Sequence, residues 1–230
     1  LRGQRGSLKH ATARIGRALA RPKPATRDFE TILGIEGRFG FRSTFYVLYD
    51  TRYWARYGAR YRLTDPEFTS IARMIMDAGC ELGVHGSYYG LNDADAYRAG
   101  LDAVADATGI APVGIRNHDL RFSGRATWEA QHSAGFTYDA TFGHNHLLGP
   151  RDGRDRPFWA VPPEGRSQGL VELPLTVMDG TLFRHLGLKG EAALEAAWAE
   201  IQVVIDAGGL VSLLWHNNFF NEPEYWDWQW

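Results

Sequence analysis

The chain has 230 residues, with 25 Lys and Arg against 27 Asp and Glu, giving a formal net charge of −2. That balance excludes a surface run by bulk positive charge, and with it broad binding to nucleic acid. Hydrophobic residues make up 44% and charged residues 23%, the proportions of a globular domain, and no apolar run approaches the roughly 20 residues of a membrane span. Cys80 is the single cysteine, which excludes an intramolecular disulfide and a Cys-rich zinc site.

Residues 1–27 form a basic segment with Arg2, Arg5, Lys9, Arg14, Arg17, Arg21, Lys23 and Arg27 and no acid. It lacks the apolar stretch of a secretory signal, which favours a cytoplasmic location. Pro22 and Pro24 break the chain ahead of a domain spanning 28–230. The apolar spacing of Phe29, Ile32, Leu33 and Ile35 predicts a helix closed at Gly40. Ser43–Tyr49 is aromatic and β-rich and predicts a buried strand. Asp65-Pro66 opens a helix by N-cap and N1 proline, with Phe68, Ile71, Met74 and Ile75 as its apolar stripe and Gly79 as its stop. Glu81–His85 is the next predicted strand, followed by a helix over Asn92–Thr108, a strand over Val113–Arg116 and a helix over Ser123–Ala134. Strands follow at Thr137–Thr141 and Leu170–Val177, then a helix at Glu191–Ala207 and a last strand at Leu210–Trp215. Strands alternating with helices through short connections predict a parallel α/β sheet or barrel.

Ionisable residues sit at or just past the C-terminal ends of these strands: His85, Arg116 with His118, Asp179, and His216. Parallel α/β folds form their ligand sites at those ends. A single such histidine can equally well cap a strand; the set points to a site. His85 ends its strand beside Gly86, where the backbone is expected to turn sharply, and a neutral imidazole there suits zinc or a similar metal. Arg116 can hold a carboxylate bidentately, and His118, two residues on, can face the same cleft. Asp179 follows an apolar strand and can orient a histidine, and His216 in turn follows a buried strand as a candidate general acid.

The order and spacing of Glu81-Leu-Gly-Val-His85-Gly-Ser-Tyr, Gly114-Ile-Arg116-Asn-His118, Val171–Asp179 and Leu213-Leu-Trp-His216 resemble the NodB-type polysaccharide deacetylases, carbohydrate esterase family four, from Asp28 onward. The resemblance is greatest to an atypical branch whose second motif reads His-Gly-Ser-Tyr. It implies a distorted parallel (β/α) barrel, here incomplete, and a metal-dependent hydrolase acting on non-peptide C–N bonds. Such an enzyme removes acetyl groups from N-acetylated, or O-acetylated, carbohydrate. By the same resemblance His85 is the first metal ligand and Tyr89 stands where a second histidine is usual, so His118 becomes the candidate second ligand of a divalent metal, zinc by preference. Arg116 would orient a catalytic carboxylate, Asp179 would tune His216, and His216 would protonate the leaving amine. The family's first motif, an acidic pair ending the first barrel strand, has no counterpart upstream of Phe29, and the chain stops soon after the His216 strand. It therefore reads as a fragment lacking the first strand and the last helix.

Other patterns point elsewhere. His144 and His146, at i and i+2, would share a face on a strand and could chelate a metal, but in a loop they face solvent. His10, His132 and His185 read as surface residues. No Gly-x-Ser-x-Gly elbow and no phosphate loop occurs. The aromatic residues crowded into Glu224–Trp230 suit core packing or a sugar cleft. A non-catalytic carbohydrate-binding protein on a degenerate deacetylase scaffold is the alternative: the absent acidic motif and Tyr89 favour it, while Arg116, Asp179 and His216 oppose it.

Overall fold

The computed structural model of the chain describes residues 26–53, 55–165 and 168–217. The basic segment 1–25, with His10, and the aromatic C-terminal residues lie outside the described residues.

Helix α1 (Thr26–Phe39) leads into strand β1 (Thr44–Leu48). Helix α2 (Pro66–Asp77) starts at Pro66 behind Asp65, and the Asp65 carboxylate accepts from the Arg62 N–H at 2.7 Å instead of capping the helix. Strand β2 (Glu81–Gly86) then carries His85. Helix α3 (Ala94–Thr108) is N-capped by Asp93, whose carboxylate accepts from the N–H groups of Asp95 and Ala96, and it ends at Gly109 with φ 77°. That left-handed cap is the conformation only glycine adopts without strain. Strand β3 (Gly114–Asn117), helix α4 (Arg125–Ala134) and strand β4 (Tyr138–Asp139) follow. The last elements are β5 (Phe158–Val161), β6 (Leu170–Glu172), β7 (Val177–Met178), α5 (Gly190–Asp206) and β8 (Leu213–Leu214).

Six strands form one sheet in the order β1-β2-β3-β4-β6-β5, parallel except for the antiparallel edge strand β5. Strands β7 and β8 pair parallel in a second, two-stranded sheet. Helices α2 and α3 pack on β2, and α4 packs on α3 and β5. Ile71, Ile75, Leu82, Val84, Val104 and Ile115 interlock in the main core. Ile115 is fully buried, and removing such a side chain from water contributes about 1.5–3 kcal/mol. Val177, Leu182, Phe183 and Ala193 make a separate core beneath α5.

Two expectations from the sequence change. Leu170–Val177 is two strands in two sheets. Pro174 has no N–H to give a ladder, and around it the chain crosses between the sheets: Leu173 N–H bonds to the Asp139 carbonyl at 2.8 Å and Leu175 N–H to the Phe142 carbonyl at 3.0 Å. Strand β5 was not anticipated, because Phe158–Val161 is a short apolar run at a sheet edge without alternation.

Candidate active site

Parallel pairing brings the strand ends together. In the β1–β2–β3 register Leu48 lies beside His85, and His85 beside Arg116. The chain leaves β3 through a single 3₁₀ turn (His118–Leu120), which sets His118 next to His85, with ring centroids 5.1 Å apart.

The chemistry of this histidine pair is set by burial. Burial, then the neighbouring His118, His216 and Arg116, push the His85 pKa well below its ordinary value. The His85 ring also hydrogen-bonds to the Arg116 backbone, which fixes one nitrogen as donor and leaves the other as a lone-pair donor. His118 is lowered too, by burial first and then by His216, against the opposing pull of Asp119 and Asp50. Both rings are therefore neutral at pH 7. Nδ1 of His118 is buried with no hydrogen-bond partner among the described residues. Two neutral imidazoles in contact, one with an orphaned ring nitrogen, fit a borderline divalent metal such as zinc. Among the described residues no three His, Cys, Asp or Glu side chains stand together at metal-holding distance.

The second sheet delivers the other pair. Asp179 directly follows β7, and His216 lies two residues past β8. Nδ1 of His216 is 2.7 Å from Asp179 Oδ1, and the His216 N–H donates to Asp179 Oδ2 at 2.5 Å. The Asp179 side chain is fully buried while that of His216 is 46% exposed, so the carboxylate is fixed and the far side of the imidazole stays accessible. The charge of His216 depresses the pKa of both His85 and His118, so this pair faces the same space.

Arg116 is buried beside them. Its Nε donates to the Ala140 carbonyl at 2.8 Å and its guanidinium lies 4.7 Å over the Tyr46 ring. No ion pair among the described residues involves Arg116. Of the two settings left open for His144 and His146 the structure has the loop, with ring centroids 6.3 Å apart. Tyr89 is exposed under the guanidinium of Arg52, 4.1 Å away.

Three carboxyl groups at this end escaped the sequence analysis. Asp50 lies two residues past β1, almost fully buried, and accepts from the Ser87 hydroxyl and from Arg52 N–H at 2.7 Å. Burial alone would raise its pKa, but these hydrogen bonds and the Arg52 charge hold it below the usual carboxylate value. It therefore stays ionised, close enough to His118 to pull that ring's pKa upward. The sequence carries the same signal for it as for the histidines, an ionisable residue at or just past a strand end.

Asp139 and Glu172 end β4 and β6, sit side by side in the register and are fully buried. Burial and the Asp139 charge push Glu172 well above the usual range, so it holds a proton and donates to Asp139. Trp128 Nε1 donates to Glu172 at 2.7 Å and Phe142 N–H at 3.1 Å. The Thr141 hydroxyl donates to Asp139 at 2.5 Å and accepts the Asn117 N–H at 2.9 Å, tying this pair to the residue before His118. An isolated acid within an apolar strand gives no hint of its cross-strand partner. Gly86 also differs from expectation. A Cβ there would meet Asn117 Oδ1 at 2.2 Å, so glycine serves the close approach of β2 and β3 and not a turn.

No family model matches the chain, and no curated protein does. Solved structures do. A protein from Mycobacterium smegmatis assigned as a polysaccharide deacetylase superposes with a TM-score of 0.56 at 26% identity, over 85% of this chain and 64% of that one. This is the NodB-type polysaccharide deacetylase fold. The Puue allantoinase shares it, with a TM-score of 0.57 at 17% identity over 85% of this chain and 61% of that one. The chain thus spans a little under two thirds of the length of these neighbours. Since one neighbour is an allantoinase, the NodB-type fold by itself does not choose the substrate.

Proposed function

We propose that this chain is a metal-dependent hydrolase that removes acetyl groups from N-acetylated carbohydrate. The observation that carries the reading is the meeting of two neutral histidines, His85 and His118, with the buried-acid pair Asp179–His216 at the C-terminal ends of the strands. The structural neighbour assigned as a polysaccharide deacetylase supports it.

In this reading His85 and His118 hold a divalent metal, zinc by their donor chemistry. When bound, that metal supplies a Lewis acid for the acetyl carbonyl and a more acidic water. The chain's own residues do the rest. Asp179 accepts the His216 Nδ1 proton and so fixes the tautomer, which leaves Nε2 to carry the proton given to the departing amine. The Arg116 hydrogen bond orients His85. Arg116 keeps a buried cation beside the site, and Asp50 keeps an anion beside His118.

The test is acetate release from N-acetylglucosamine oligomers by the zinc-loaded chain, with His216→Ala and His85→Ala alongside. Release that is lost in both variants supports the reading; release that is equal in all three overturns it. The second reading, a carbohydrate-binding protein without catalysis, draws on the absence of a third metal donor among the described residues. It predicts oligomer binding with no acetate released.

A further inference from the structure

The connection between β1 and α2 is rich in arginine and tyrosine, and its Tyr57 packs edge-on to His118. Tyr57 stacks on Tyr88 with ring centroids 3.9 Å apart and an interplanar angle of 18°. Nothing fits between rings that close. The guanidinium of Arg121, 4.2 Å over the Tyr88 ring, therefore covers the outer face of Tyr88, and that of Arg56 lies 5.1 Å over Tyr57. The result is a pile of two tyrosines with a planar cation at each end. It stands edge-on to His118, whose ring centroid is 5.8 Å from that of Tyr57 and 6.0 Å from that of Tyr88.

A guanidinium stacked on an aromatic face is held flat and loses little further freedom on binding, while its N–H edge still points outward. Arg121 is further tied by donating to the Tyr88 carbonyl. Arg56 is exposed, and no ion pair among the described residues involves Arg56 or Arg121. The third arginine of this wall, Arg52, is already neutralised by Asp50. The whole chain carries a net charge of −2, so the positive charge here is local and not a property of the protein as a whole.

We infer that the Tyr57–Tyr88 pile and its two capping arginines form a subsite for a carboxylate-bearing sugar of the bound glycan, which makes an acidic, uronic-acid-containing chain the preferred substrate. The inference rests on the deacetylase reading for the sugar and on the pile for the charge. A carboxylate is planar and two-pronged, and matches the edge of a flat guanidinium. The position beside His118 places that sugar next to the one whose acetyl group is removed.

Binding is measured by calorimetry for two tetrasaccharides: one alternates N-acetylglucosamine with glucuronic acid, the other is N-acetylglucosamine alone. The acidic one should bind roughly tenfold tighter at low salt, the factor expected of one charged hydrogen-bonded pair. High salt should erase the difference. Arg56→Gln and Arg121→Gln should each reduce the advantage, and the double variant should remove it, without weakening the neutral oligomer. Arg56 is exposed, so its variant is a folded test even if Arg121→Gln destabilises the chain. Tight acidic binding with no acetate released keeps this inference and removes the deacetylase reading. Equal binding and equal hydrolysis of both oligomers keeps that reading and overturns this inference; binding of neither overturns this inference and counts against that reading too.

Discussion

Thr141→Val tests how the site is held. The Thr141 side chain is fully buried, and its hydroxyl makes two bonds: it donates to Asp139 Oδ1 at 2.5 Å and accepts Asn117 N–H at 2.9 Å. Valine has nearly the same shape and neither bond. A buried N–H left without a partner costs about 1–3 kcal/mol, and a bond to a charged acceptor contributes about 1.5–3 kcal/mol. One hydroxyl makes both, so the losses overlap, and about 3 kcal/mol is expected in total. Urea unfolding should show a lower midpoint at unchanged slope. Thr141→Ser keeps the hydroxyl and should lose only about 1 kcal/mol, for the missing methyl. Asn117 precedes His118, so zinc affinity should fall in the valine variant and hold in the serine one. A valine variant within about 0.5 kcal/mol of the parent, or serine and valine variants that behave alike, would refute the reasoning.

Four further outcomes follow from the same geometry. Asp179→Asn, which removes the anion behind His216, should slow acetate release by roughly 10²–10⁴-fold with little change in KM, read from steady-state kinetics. His85→Ala and His118→Ala should each weaken zinc, measured against a chromophoric chelator, by more than the roughly 10–100-fold typical of losing an outer-shell partner. Glu172 has a raised pKa in the fold, so its stabilising contribution is full below the unfolded value of about 4.3 and is lost as pH rises through the folded value. Urea midpoints of Glu172→Gln should therefore depend less on pH above about pH 5 than those of the parent. Gly86→Ala drives a Cβ to 2.2 Å from Asn117 Oδ1 and should destabilise the chain by about 1–3 kcal/mol, read as a lower Tm.

Much of the scaffold was legible in the sequence because its signals are local. The Asp65-Pro66 start, the Gly109 stop and the β-rich run around Phe45 report backbone preferences over a few residues, and the structure places elements there within one or two positions. The division of Leu170–Val177 between two sheets was not legible, since an apolar run does not say which neighbour it pairs with. His85, His118, Asp179 and His216 could be picked out because each stands at or just past the C-terminal end of a strand. Asp50 stands in the same kind of place, two residues past β1, and is as legible there as the histidines are.

The sequence by itself determined the alternation of strands and helices and the ionisable residues at the strand ends, because chain order and side-chain period set both. The tertiary structure decided what those residues do. Parallel register put His85 beside Arg116, burial made His85 and His118 neutral, and a separate sheet brought Asp179 to His216. The Asp139–Glu172 pair and the Tyr57–Tyr88 pile exist only across segments far apart in the chain. Desolvation and cross-strand contact depend on which surfaces meet, and a linear pattern does not record that.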